Sequence, residues 1–386
     1  MRRRSAIVAC ALALGCGEGF LPPSYVNELR VLAVRTEPPE IAWGAEEIPS
    51  ESRISVLVAD PVQLLDPTRE VVVGYLSCTA DPASLEPNPC TAITTLRAPS
   101  ELARHLPEEI CEAGGGGTGE GRTPFAFLGA ERCRHVEGCE PLAVPVGEFE
   151  ISLPPPVFRL PDDLGLSALP AGHPARTRGA QVVVLTFAVA AAPAELVEGV
   201  DGSDECRLAT TLMSRFFQLL EERESVMALK RIQVRGPDHR NDPNENPRIS
   251  GILVRGVPLP AEPGEPWPEV ATFAREQSVF LHPRPAPAPL DDEGRPLHGS
   301  EKQSYTRYRR DGTPLRTEVE EWRYSWFSTG GRFSEDRDET EGGITWTAPG
   351  GKKDDPVPPG GRTFLYLVVR DGRGGVDWVR REVRVQ

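Results

Sequence analysis

Three observations predict a mainly β chain built as two antiparallel sandwiches in series. Short runs of alternating apolar and polar residues recur in both halves, separated by Gly, Asp and Pro turns. The stretch "GPDHRNDPNENP" (236–247) consists almost wholly of residues that break regular pairing, and it leaves parts of about 210 and 140 residues, each long enough for its own core. Sustained helical spacing occurs in one further segment only, which makes that helix an interruption of a β fold.

The chain opens with Arg2, Arg3 and Arg4, an apolar run over 6–14, and small residues around Cys16, the three-part pattern of an export signal. The run is much shorter than the roughly 20 residues a spanning helix needs. "ALGC" resembles the lipobox of bacterial lipoproteins, although Ala13 stands where the motif usually has Leu and Leu14 where it prefers a small residue. The resemblance implies a signal peptide over 1–15, cut before Cys16, and lipid attached to Cys16. At about 0.8 kcal/mol per buried methylene, such acyl chains hold a protein on a membrane without a transmembrane helix. The alternative is an ordinary cleaved signal with Cys16 a bystander. Residues 16–27 would then be a lipidated tether. Gly17 is not the Asp that retains some lipoproteins at the inner membrane, so the expected location is the bacterial outer membrane or cell surface.

Residues 28–235 form the first expected domain. "VNELRVLAVRTEPPEIAWG" reads as a strand ending in a Pro-rich kink, and "SRISVLVADP" alternates Ile54, Val56 and Val58 inward. "REVVVGYLSC" reads as the next strand, with its partners far ahead in "AQVVVLTFAVAA" and "MALKRIQVR". The residues between, 79–178, read as a long cysteine-rich insertion. The helix is "SDECRLATTLMSRFFQLLEERES", with Ser203 or Asp204 as its N-cap. Leu208, Leu212, Met213, Phe216, Phe217 and Leu220 form an apolar stripe expected to lie on the sandwich.

Cys78, Cys90, Cys111, Cys133, Cys139 and Cys206 are an even set in an exported chain, which predicts three disulfides with the pairing open among 15 connectivities. "CRHVEGC" also places His135 between two cysteines, but C-x5-C is a poor zinc spacing and no second His/Cys pair follows. None of the six lies after Cys206, so the second domain, 248–386, must rely on its apolar core.

That domain reads as strands throughout: "PRISGILVRG", "QSVFLHPRP", "EEWRYSWFSTGG" with Trp322, Tyr324 and Trp326 on one face, "GITWTAPGG", and a final hairpin turned by "DGRGG". In that hairpin Phe364, Tyr366 and Val368 are expected to face a core. Tyr-x-Trp on one strand, the "TWTAP" strand, "DGRGG" and the closing "VRREVRVQ" together resemble bacterial Ig-like domains of the PKD and cadherin-like kind, lacking the Gly-Asp-Gly turn usual in PKD domains. The resemblance implies an Ig-like sandwich over 248–386, and the Pro-rich kink of the first strand implies the same for 28–235. It is nearly silent on function.

Two surface features carry chemistry. In the linker, Asp238, Asp242, Asn244, Glu245 and Asn246 offer hard oxygen ligands where cadherins hold calcium, and they resemble the cadherin Asp-x-Asn-Asp-Asn linker loosely, with Pro243 interrupting. Calcium is the only cofactor this sequence suggests; a plain Pro/Asn linker explains the same residues. "SYTRYRRDGTPLR" places Tyr305, Arg307, Tyr308, Arg309, Arg310 and Arg316 in one hairpin, either a patch for an anionic glycan or headgroup or a charged edge that discourages sheet aggregation.

Charge narrows the partners. Loss of residues 1–15 removes three Arg and no acid, leaving 40 basic against 57 acidic residues. That excess opposes nucleic acid and anionic bilayer surfaces, both of which select clustered cations. No G-x-S-x-G, H-E-x-x-H or P-loop occurs, and the G-x-G-x-x-G at glycines 114, 116 and 119 lies in a low-complexity loop with no strand before it. The expected function is a non-catalytic binding or structural module of the envelope, with a protein or glycan partner. The alternatives are an enzyme or enzyme accessory with its site in 79–178, or a calcium-rigidified spacer.

Overall fold

The computed structural model describes residues 23–45, 48–79, 125–134, 138–146, 149–198, 205–259, 271–287, 302–335, 343–352 and 355–386. Strands are numbered in chain order. In the first sandwich β1 (Arg30–Glu37), β3 (Glu51–Ala59) and β9 (Val157–Arg159) form a small sheet in the order β1-β3-β9. The facing sheet comprises β2 (Glu40–Ile41), β4 (Val71–Thr79), β5 (Phe125–Arg134), β6 (Gly138–Pro141), β10 (Ala180–Val189) and β11 (Ser225–Val234), in the order β2-β11-β10-β4-β5-β6. A separate hairpin joins β7 (Ala143–Val146) to β8 (Phe149–Ser152). Among the described residues three helices complete this half: α1 (Pro174–Arg178), α2 (Pro193–Leu196) and α3 (Glu205–Glu222).

The second sandwich sets β12 (Ile249–Val254), β13 (Val257–Pro258), β15 (Ser278–Pro285), β19 (Arg332–Phe333) and β20 (Ile344–Thr347) against β14 (Ala271–Phe273), β18 (Arg323–Ser328), β21 (Arg362–Arg370) and β22 (Val376–Val385). The orders β13-β12-β15-β20-β19 and β14-β22-β21-β18 correspond to the ABED and GFC sheets of an Ig-like sandwich. A hairpin of β16 (Ser304–Tyr308) and β17 (Pro314–Val319) stands apart from both sheets.

Both first strands change sheets in the same way. After β1 pairs with β3, the chain turns at a cis Glu37–Pro38 bond, and β2 pairs in parallel with the end of β11. Likewise β12 pairs with β15, and β14 then pairs in parallel with the end of β22. The kink read from "RTEPPE" is this crossing.

Alternation along each strand assigns its faces to successive cores. Ile54, Val56 and Val58 of β3 meet Val182 and Val184 of β10 inside the first sandwich. Leu365, Leu367 and Val369 of β21 meet Trp326 and Trp346 inside the second. The opposite faces meet each other: Leu32, Leu57 and Ala59 join Phe364, Tyr366 and Val368 in one buried cluster. The two sandwiches are therefore stacked face to face, and β21 is buried on both sides, which explains its unbroken apolar run "TFLYLVV". The core expected for Phe364, Tyr366 and Val368 is the one shared between the halves.

Helix α3 covers the outer face of the six-stranded sheet through Leu212, Met213, Phe216, Phe217 and Leu220. Gly74 makes room for it, since a Cβ there would lie 2.8 Å from the Phe216 ring. Gly129 serves the β4–β5 irregularity: its φ of +140° is open to glycine, and a Cβ would meet Pro154 O at 2.4 Å.

The stretch read as an insertion supplies working parts of the fold. Its strands β5 and β6 extend the large sheet beside β4, and β9 completes the small one. Cys133 and Cys139 are opposite each other on β5 and β6 and form a disulfide, Cα–Cα 4.0 Å. Cys78, fully buried, is also disulfide-bonded. Cys206 lies in the first turn of α3, while Cys16, Cys90 and Cys111 lie outside the described residues.

The shared core makes the two halves one thermodynamic unit. Calorimetry is expected to show a single unfolding transition. Phe364→Ala, which empties a site 2 % exposed, should cost about 3–5 kcal/mol in chemical denaturation and separate the halves into two transitions.

Candidate functional site at the sandwich junction

The linker 236–247 runs through the junction, and its polar side chains are committed to protein groups. Asp238 accepts two bonds from Arg176, at 2.8 and 3.1 Å. Asn246 Nδ2 donates to Thr36 O and Glu37 Oε2, and its Oδ1 accepts from Val376 N, all at 2.8 Å. Asn244 N donates to Glu40 Oε2 at 2.7 Å and its Nδ2 to Asp371 Oδ2 at 3.0 Å. Asn246 is 6 % exposed and Asn244 3 %. One linker side chain thus bridges the end of β1 to the start of β22.

These residues are used differently from a calcium shell. Both asparagines turn their amide nitrogens toward carboxylates, Asp238 is neutralised by Arg176, and Asp242 points to solvent. Glu245 is half-buried and its amide donates to Gln303 Oε1. Among the described residues no group of three or more His, Cys, Asp or Glu is placed to hold a metal.

The "DGRGG" turn receives the linker. Asp371 accepts backbone bonds from Arg373, Gly374 and Gly375 at 2.7, 3.0 and 2.9 Å, a small nest closed over one carboxylate. Burial raises its pKa, against the opposing effect of those bonds and of Asn244. Arg373 bonds Glu320 at 2.8 Å and stacks 4.8 Å over the Tyr305 ring. From the first sandwich, Lys230 Nζ reaches the Gly374 carbonyl. Glu40, Lys230, Glu320 and Asp371 are all buried charges at this one place.

The basic hairpin also belongs to the junction. Asn241 Nδ2 donates to Thr306 O at 2.9 Å and Thr306 N donates to Asn241 Oδ1 at 2.8 Å, so β16 is held to the linker by a reciprocal amide pair. Tyr308 lies against His239, ring centroids 5.7 Å apart. Arg307 and Arg316 share Glu318, and Arg309 bonds Thr313. Arg310 is exposed, and its carbonyl accepts from Arg178 of the first sandwich at 3.2 Å. The hairpin is thereby a strut between the halves, with Arg309 and Arg310 on its outer surface.

Beside this network runs a groove between β1 and β11. One end, about 510 Å³, is lined by β1, β11 and the "DGRGG" turn. The other, about 480 Å³, is bounded by Glu28, Leu29, Arg30, Glu224, Ser225 and Phe327. Sequence reading missed Glu40, Lys230 and Asp371, each of which stood in a stretch read only as strand or turn. The run of Asp371 followed by Gly372, Gly374 and Gly375 was the one local signal of a buried carboxylate.

No family model matches the chain, and no curated protein does. Among solved structures the chain is similar to Escherichia coli alpha-2-macroglobulin activated by porcine elastase, at 9 % identity and a TM-score of 0.20, over 94 % of this chain and 22 % of that one.

Lys230 gives the junction a measurable pH dependence. Burial first, and Arg370 with it, lower its pKa from 10.5 to about 8, against Asp371, which raises it. Between those values the unfolded chain holds a proton that the folded chain has released, so stability rises with pH across that window. Lys230→Met should remove this rise, at most roughly 3 kcal/mol. It is read as the difference between the two denaturation curves from pH 8 to pH 10.

Proposed function

We propose that this chain is an exported lipoprotein, anchored through Cys16, that serves as a rigid, non-catalytic binding or structural module of the bacterial envelope. The observation that carries the reading is the junction: a shared apolar core, a linker bonded at both ends and a hairpin strut tie the halves together. A chain fixed in this way presents its surfaces at set positions, as a scaffold or receptor module must.

The start of the fold supports the anchoring. Ser328 N donates to Ser24 O and Val26 N to Ser328 O, and Val26 is fully buried. Segment 24–26, within the tether expected over 16–27, is thus docked on the second sandwich. Residues 17–23 alone would separate a lipidated Cys16 from the fold, a reach of about 25 Å at most when extended. The module would stand close to its membrane, with the acidic excess of the chain turned to partners other than the anionic bilayer. Gly17 favours the outer membrane as that location.

Intact mass of the membrane-extracted protein, measured beside Cys16→Ser, tests the anchor. A mature chain starting at Cys16 with added acyl mass is expected, and the variant should lose that mass and leave the membrane fraction. A native chain without acyl mass, cut elsewhere, would make the protein freely secreted and end this reading of its location.

A further inference from the structure

The two sandwiches treat the same gap differently. In each, the first strand leaves the sheet edge before its parallel continuation rejoins it, which exposes the edge of the last strand over its earlier part. In the second sandwich β22 closes that gap with side chains: Asp377 Oδ2 accepts from Ile249 N at 2.8 Å, and Arg381 Nη2 donates to Ser250 O at 3.0 Å. In the first, β11 presents Met227 and Leu229 instead, 46 % and 36 % exposed.

Among the described residues the backbone of that edge is open too. Gln233 N and Arg235 N bond outward, to Pro39 O and Ile41 O, so the odd-numbered residues of β11 direct their N–H groups away from β10. Strand β2 covers the edge only at Gln233 and Val234. Ser225, Met227, Leu229 and Arg231 therefore offer a row of main-chain donors and acceptors along the groove. The groove also has a polarity. At its far end Lys230, Arg231, Arg370 and Arg373 line it without a carboxylate, and buried Glu320 and Asp371 behind the lining offset two of these charges. At its near end Glu28 and Glu224 are paired with Arg30 and Arg69, so that end carries no excess of cations.

We propose that the β11 edge binds an extended peptide segment of a partner protein, apolar at its centre and acidic at the end beside Arg231, which adds to the large sheet as a further strand. Main-chain bonds from the odd residues of β11 would supply affinity, Met227 and Leu229 would pack its alternate side chains, and exposed Arg231 would set its direction. A second copy of the chain paired antiparallel on this edge would set Arg231 beside the Ser225 end; it is the competing occupant, which a concentration-dependent dimer would reveal. This inference does not depend on the lipid anchor.

The probe is a labelled peptide, acetyl-Thr-Val-Thr-Val-Thr-Val-Asp-Glu, titrated into the purified full chain by fluorescence anisotropy, with a Lys-Lys ending as control. Saturable binding of the acidic peptide is expected, with the control at least about tenfold weaker. Leu229→Pro removes an outward N–H without touching the β10 ladder and should abolish binding. Arg231→Glu, at an exposed site, should weaken the acidic peptide about three- to tenfold and keep the fold. Hydrogen exchange supplies the second readout: the amides of Met227, Leu229 and Arg231 should exchange quickly in the free protein and become protected with peptide. Binding that ignores Leu229→Pro, no added protection at saturating peptide, or amides already protected in a concentration-dependent dimer would each overturn the proposal.

Discussion

Everything in this structure rests on two sheets that are apolar on both faces. An ordinary sandwich turns one face of each sheet to water and reads as alternation. Here the β1-β3-β9 sheet and the β14-β22-β21-β18 sheet each have a sandwich core on one side and each other on the opposite side. Leu57 and Tyr366 have no aqueous face to return to, so separating the halves would expose a whole core layer. At roughly 25 cal/mol per Å² of apolar surface, that exposure outweighs anything a twelve-residue linker could hold by itself.

Burial of the junction forces the chemistry around it. A linker crossing a dry interface must satisfy its amides and carboxylates internally, since an unpaired buried polar group costs on the order of 1–3 kcal/mol. Asn246 meets this with three bonds to two sandwiches, and Asp371 with three backbone donors from its own turn. The oxygen-rich composition that suggests calcium in a solvated linker is, in a buried one, what main-chain pairing requires. Composition alone does not distinguish the two cases, because the difference lies in where the flanking sheets sit.

The strands were legible because each obeys a local rule. The period of two in "SRISVLV", the Trp322/Tyr324/Trp326 face and the "DGRGG" turn all lie where the sequence puts them. Helix α3 was legible from its stripe, and the layer it covers includes every stripe residue whose burial is described. What local rules do not contain is the identity of the surface across a core. Phe364, Tyr366 and Val368 announce a buried face but not that its partner is Leu57, some three hundred residues earlier in the chain. For the same reason 79–178 reads as an insertion: β5 and β6 are short and irregular in sequence, and their place beside β4 is set by long-range pairing. Lys230, one of very few lysines in an Arg-rich chain, looks like any strand residue until Gly374 arrives from the other half.

The strand crossing ties architecture to function. Switching the first strand from one sheet to the other closes a sandwich at its end, but it leaves a stretch of the last strand without a neighbour. Natural β proteins blunt such edges with charge, Pro or a covering segment. Strand β22 is blunted by Asp377 and Arg381, which spend their hydrogen bonds on the backbone of β12. Strand β11 carries one exposed cation, Arg231, and two exposed apolar side chains. Because both edges arise from one topology in one chain, the fold does not dictate the difference. Among the described residues, the open edge is a property of the residues on β11 and a place where the chain retains unspent main-chain pairing.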